Sequence, residues 1–109
     1  DYEAAQQLAA SARAEVAGWF TGFDILMTPS APDVALPGFD STGPSTFNRL
    51  WTLLGMPCIN VPGALGEGGY PMGLQLIAPY GSDALLLRAA AALEQNLPAT
   101  LGMSLKPAP

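Results

Sequence analysis

The hydrophobic positions of the chain fall into segments with distinct periods. Over residues 2–20, Leu8, Ala12, Val16, Trp19 and Phe20 recur at three-to-four spacing, while Glu3, Gln6, Gln7 and Arg13 lie mostly elsewhere. That is the pattern of an amphipathic helix, helped by abundant alanine and given a C-terminal stop at Gly22. Ile25-Leu26-Met27-Thr28 is a short apolar run ended by Pro29, which predicts a strand buried on both faces. Residues 29–44 have no period and carry Pro29, Pro32, Pro37, Gly38, Gly43 and Pro44, so they read as a loop. A loop of that length in a compact domain is usually functional or disordered.

Phe47, Leu50, Trp51 and Leu54 sit at i, i+3, i+4 and i+7, which predicts a helix over 46–54 capped by Ser45. Gly55 and Pro57 end it and aim the chain into a second strand, residues 58–62. Gly66-Glu67-Gly68-Gly69 reads as a turn into a third strand, residues 72–78, so strands two and three form an antiparallel pair. Pro62 and Pro71 each remove a ladder donor from that pair. Gly73 inside a strand leaves room for a neighbour to approach closely, and Gln75 needs hydrogen-bond partners if it is buried. Ser82 or Asp83 caps a last helix over 83–96, whose face is Leu85, Leu86, Ala89, Ala90, Leu93 and Leu97. Residues 99–109 read as a tail.

The order helix, strand, helix, strand, strand, helix predicts an α/β fold with helices packed on a mixed sheet over residues 1–98. Three strands that are apolar on both faces need cover from elsewhere, so the segment reads as part of a larger α/β domain. The start at Asp1 rather than Met is likewise expected of a piece of a longer polypeptide.

Composition narrows the chemistry. Half of the 109 residues are hydrophobic and 12% are charged, about half the usual charged fraction. Nine acids against four bases give a net charge of -5, with Arg13, Arg49, Arg88 and Lys106 scattered, so no phosphate-binding surface is expected. No apolar run is long enough to span a membrane. The chain has no histidine, which removes His-based catalysis and His metal sites, and one cysteine, Cys58, read as a buried structural thiol. No metal or cofactor site is expected. Residues Asp1 to Ala10 lack a signal-peptide pattern, and a cytoplasmic setting is expected. Asp33 and Asp40 read as solvated loop acids, and Asp24 as a turn residue satisfying backbone donors.

The motifs Asp24-Ile25-Leu26-Met27-Thr28-Pro29-Ser30-Ala31-Pro32, Phe47-Asn48-Arg49-Leu50-Trp51-Thr52, Gly55-Met56-Pro57-Cys58-Ile59-Asn60-Val61-Pro62-Gly63 and Tyr70-Pro71-Met72-Gly73-Leu74-Gln75-Leu76-Ile77 occur in this order. With the helix from Asp83 to Glu94 they resemble the C-terminal part of the amidase signature family, over roughly residues 10–96. The resemblance implies an enzyme that hydrolyses amide bonds through a serine acyl-enzyme, with a second serine and a lysine base replacing histidine. It implies that this machinery lies in an N-terminal catalytic half, in a Gly/Ser-rich region and an earlier lysine. Lys106 is the only lysine here and no Gly-Gly-Ser-Ser-Gly-Gly stretch occurs, so the chain has no catalytic residue of its own and is expected to be inert alone.

A loop leaving the carboxyl end of a strand is where ligands bind in open α/β sheets. Thr28, Ser30, Phe39 and Asn48 are therefore the candidate residues for lining the pocket of a small-molecule amide. The segment's bare apolar surface is expected to make it a homo-oligomer. The competing reading is a non-catalytic small α/β module that works by association.

Overall fold

A computed structural model of the chain describes residues 1–98; the expected tail over 99–109, with Lys106, lies outside the described residues. The elements are α1 (Tyr2–Trp19), β1 (Leu26–Pro29), α2 (Arg49–Leu54), β2 (Cys58–Leu65), a single 3-10 turn (Glu67–Gly69), β3 (Pro71–Ile77) and α3 (Asp83–Asn96). The α/β layering expected from the pattern is present. The strand order is β1-β3-β2, with both pairings antiparallel.

Register assigns each side chain to a face. Leu26, Ile77 and Cys58 lie opposite one another across the three strands, as do Thr28, Gln75 and Asn60 two residues along. Directly opposed residues share a face, so both rows lie on one side of the sheet. That side is covered at its Ile77 end by α1 and α2, through Val16, Trp51 and Leu54. The other side carries Val61 and Leu76 and is covered by α3 through Leu86 and Ala90. Leu54 and Ile77 are fully buried, and burial of each such side chain stabilises by about 1.5–3 kcal/mol.

Two helix faces differ from the pattern. On α1 the buried stripe runs Ala9, Ala12, Val16 and Phe20, while Leu8 and Trp19 face outward. Leu8, four residues before Ala12, lies only about 40° around the helix from it, on the flank of that stripe, and stays exposed. On α2, Trp51 and Leu54 are buried and Leu50 is exposed, because only one side of this short helix meets α1 and the sheet. The helix starts at Asn48 rather than Ser45; the Ser45 carbonyl accepts from the N–H groups of Asn48 and Arg49, making a turn that leads into it. α1 ends at Phe20, before Gly22.

Gly55 closes α2 in the left-handed region (φ 67°). Its N–H donates to the Thr52 carbonyl and that of Met56 to the Trp51 carbonyl, the paired bonds of a Schellman end. The two carbonyls left over are met from α1: Arg13 donates from Nε to Leu54 at 3.1 Å and from Nη2 to Leu53 at 3.3 Å.

β1 departs from two-sided burial. Ile25 packs into the α3 cluster and Leu26 into the α1–α2 cluster, yet Met27 is exposed because β1 is an edge strand paired only to β3. β2 runs on past Pro62 to Leu65, with a bulge between Pro62 and Ala64 that absorbs the missing proline donor. Pro71 is the first residue of β3, where a missing donor costs least. Ser82 occupies the N-cap position of α3 without a side-chain bond.

Candidate functional site

The polar row of the sheet is the site's foundation. Gln75 is the one buried polar residue among those described, and burial of a carboxamide requires that both N–H bonds be used. Its Nε2 donates to Thr28 Oγ1 at 3.1 Å and to the Phe47 carbonyl at 2.7 Å. Thr28 Oγ1 in turn donates to the Pro29 carbonyl at 3.0 Å. A central-strand glutamine thereby fastens both the end of β1 and the approach to α2.

The long loop is clipped at its base. Asn48 Nδ2 donates to the Ser30 carbonyl at 3.2 Å, joining the residue that leaves β1 to the residue that enters α2. The Ser30 N–H donates to the Gly73 carbonyl at 3.0 Å, extending the β1–β3 ladder by one bond. The Ser30 hydroxyl donates to Asn60 Oδ1. Gly73 makes this crossing possible: a Cβ there would lie 2.8 Å from Ser30 Oγ and 2.7 Å from the carboxamide carbon of Asn60.

Above Ser30, Asn60 and Gly73 the loop encloses an open pocket of about 390 Å³. Val34 and Leu36 of the loop, Pro62 of β2 and Met72 of β3 are among the residues that line it. The volume falls within the ~300–1,000 Å³ of small-molecule sites.

Of the four candidate residues, Thr28, Ser30 and Asn48 lie near the ends of the loop and Phe39 does not. Ser30 alone of them lines the pocket; Thr28 is bonded to Gln75 and Asn48 to the Ser30 carbonyl at the two ends of the loop, and neither lines it. Phe39 stands apart at the outer reach of the loop, wholly exposed. Asn60 is the pocket residue that the one-dimensional pattern misses. Its signal was a carboxamide inside the apolar run Cys58–Val61, and its meaning depends on Gly73 lying beside it across the strand pair.

Cys58 is a correction. It is exposed rather than buried, because β2 is the other edge strand and Cys58 opens it. Its thiol donates to the Met56 carbonyl at 3.6 Å. Partial desolvation of the sulfur pushes the thiol pKa above its ordinary value. Asp33 is exposed and accepts from the Val34 N–H at 2.7 Å, a local turn contact.

No family model matches the chain. Curated relatives do. The A subunit of glutamyl-tRNA(Gln) amidotransferase from Thermus thermophilus is 37% identical over 115 aligned positions, covering 95% of this chain and 24% of that protein. Its counterpart of the same name from Rubrobacter xylanophilus is 40% identical over 83 positions, covering 70% of this chain and 17% of that protein. Among solved structures, the A subunit of glutamyl-tRNA(Gln) amidotransferase from Thermotoga maritima superposes with a TM-score of 0.75 at 26% identity, covering 89% of this chain and 23% of that one. The chain belongs to the amidase signature family.

A second structure, described as an amidase, agrees, with a TM-score of 0.72 at 28% identity over 90% of this chain and 25% of its own. The chain spans about a quarter or less of the length of these relatives. Among the described residues no helix is long and apolar enough to cross a membrane.

Proposed function

We propose that this chain is the C-terminal segment of an amide-bond hydrolase, and that it completes the sheet and forms one wall of the substrate pocket. The observation that carries the reading is the clipped loop: Gln75, Asn48 and Asn60 hold both ends of residues 30–48 over a small-molecule-sized pocket at the carboxyl end of β1. Amidase-signature relatives supply the class of chemistry. An N-terminal part of the polypeptide contributes a serine whose hydroxyl attacks the amide carbonyl and a lysine that takes its proton through a second serine; the C–N bond breaks, the nitrogen leaves as ammonia or amine carrying that proton, and water hydrolyses the acyl-serine ester to the acid and the free serine. Thr28, Ser30 and Asn48 position the wall, and Phe39 meets the substrate or the N-terminal part from the loop's outer turn. The substrate is a small-molecule amide, the setting cytoplasmic, and no cofactor takes part.

The same reading accounts for the apolar surface. Leu8, Trp19, Phe23 and Leu53 are exposed on or beside α1 and α2, and both outer strands are unpaired edges. The N-terminal part covers these surfaces; in its absence, copies of the chain pair with one another.

The test is ammonia release from a panel of primary amides. The purified 109-residue chain is expected to release none, and a polypeptide joining it to the Gly/Ser-rich region and lysine of its own gene is expected to turn over. Hydrolysis by the chain alone, or none by the joined polypeptide, overturns the proposal.

A further inference from the structure

The long loop has a third anchor besides its two ends. Of residues 31–42 only Val34 is not exposed, and of residues 64–71 only Gly66 is not. These two meet: a Cβ at Gly66 would lie 2.5 Å from Val34 Cγ1 and 2.7 Å from Met72 Sδ. Space alone demands this glycine. Its backbone is extended (φ -95°, ψ -161°), a conformation open to any residue, whereas Gly68 and Gly69 in the same turn have φ of 70° and 77°.

Gly66 is held in place by its own backbone. Its N–H donates to the Tyr70 carbonyl at 2.8 Å, and its carbonyl accepts from the Gly69 N–H at 3.1 Å. A larger side chain at 66 must therefore displace its neighbours. Met72 yields readily, since its thioether is part of a flexible side chain. Val34 does not: a β-branched side chain is stiff at χ1, so its methyl moves with the loop backbone. The loop has room to shift. Residues 34–36 line both the pocket over Ser30 and a second cavity of about 400 Å³ beside Glu67, Gly68 and Tyr70.

Gly66 does not line the pocket, yet Val34 and Met72, the residues that its missing Cβ accommodates, both do. We infer that Gly66 is a positioning residue for the substrate wall: it seats Val34 against the β2–β3 turn and thereby fixes where the loop stands over the pocket. This step rests on the amide-hydrolase reading above. Its effect falls on binding rather than on bond breaking, because the attacking serine of that reading belongs to the N-terminal part.

The experiment measures kcat and KM of the joined polypeptide on whichever of acetamide, benzamide and L-glutamine it hydrolyses fastest. Gly66→Ala is expected to raise KM about fivefold or more with kcat within about twofold, the size of one overpacked contact passed to binding. In a Val34→Ala background, which lacks the obstructing methyl, the same substitution should change KM by less than about twofold. Gly69→Ala strains the same turn but meets nothing within 4 Å, and should leave KM unchanged. A KM that Gly66→Ala leaves unchanged or lowers, or raises equally in the Val34→Ala background, overturns the inference and leaves the hydrolase reading standing; so does an equal rise in Gly69→Ala. If Gly66→Ala alone does not fold, recovery of turnover in the Val34→Ala background supports the inference, and failure there overturns it. Absence of turnover by the unsubstituted polypeptide on all three amides overturns the hydrolase reading itself.

Discussion

The carboxamide of Asn60 occupies the space that a side chain at Gly73 would need. The two residues lie on neighbouring strands of the sheet, and the Ser30 hydroxyl reaches Asn60 Oδ1 across the same gap. Gly73→Ala therefore forces Asn60 or Ser30 to move, and overpacking of this kind costs about 1–3 kcal/mol. In an Asn60→Gly background the same substitution should cost markedly less. A double-mutant cycle by urea unfolding measures the coupling, which should exceed about 0.5 kcal/mol; simple additivity would show that the two residues do not compete for the space.

Trp51 joins α2 to Val16 of α1 and Ile77 of β3, and is 8% exposed. Trp51→Ala should destabilise the chain by about 3–5 kcal/mol. Denaturant unfolding checks this, and a loss under about 1 kcal/mol would mean that α2 does not pack as described.

Gln75 has two internal acceptors and almost no exposure to water. Gln75→Leu leaves Thr28 Oγ1 and the Phe47 carbonyl without their donor, at a cost of about 1–3 kcal/mol. Amide hydrogen exchange should quicken at Ser30 and Asn48 as the loop base loosens. Unchanged exchange there would show that Gln75 does not fasten the loop.

Cys58 gives a pH dependence with a definite sign. Desolvation raises its thiol pKa in the folded chain, so folding disfavours the thiolate. The unfolded chain then ionises first as pH rises: the contribution to stability is full below the ordinary thiol range and declines as pH climbs through the raised folded value. Iodoacetamide should alkylate folded Cys58 more slowly than the urea-unfolded chain at pH 8. Equal rates would place the sulfur in bulk solvent.

Association follows from the exposed apolar surface. Sedimentation at micromolar concentration should give a dimer or larger species of the 109-residue chain, through strand edges or the outer faces of α1 and α2. A clean 11.2 kDa monomer with cooperative unfolding would count against that self-pairing and favour an independent module.

The elements themselves were legible in one dimension. A period of 3.6 located α1, α2 and α3, and short apolar runs bounded by Pro and Gly located the strands, within a few residues, because local sterics and amphipathicity decide where a helix or strand can form. The stops at Gly55 and Pro57, the turn at 66–69, and the needs of Gly73 and Gln75 are local as well: a left-handed turn, a missing Cβ and an unsatisfied amide are properties of single residues.

What only the tertiary structure decided is which residues meet those needs. Gln75 finds Thr28 and the Phe47 carbonyl, 47 and 28 positions away, and Gly73 makes room for Asn60 rather than for a backbone. Strand order made β1 and β2 edges, which exposed Met27 and Cys58 although both stand in apolar runs. The contact of α1 with α2 packs Ala12 and Val16 into one cluster with Trp51 and Leu54 and leaves Leu8 exposed. Periodicity reports that a face is apolar; strand order and helix docking, which come from long-range contacts, determine whether anything covers it.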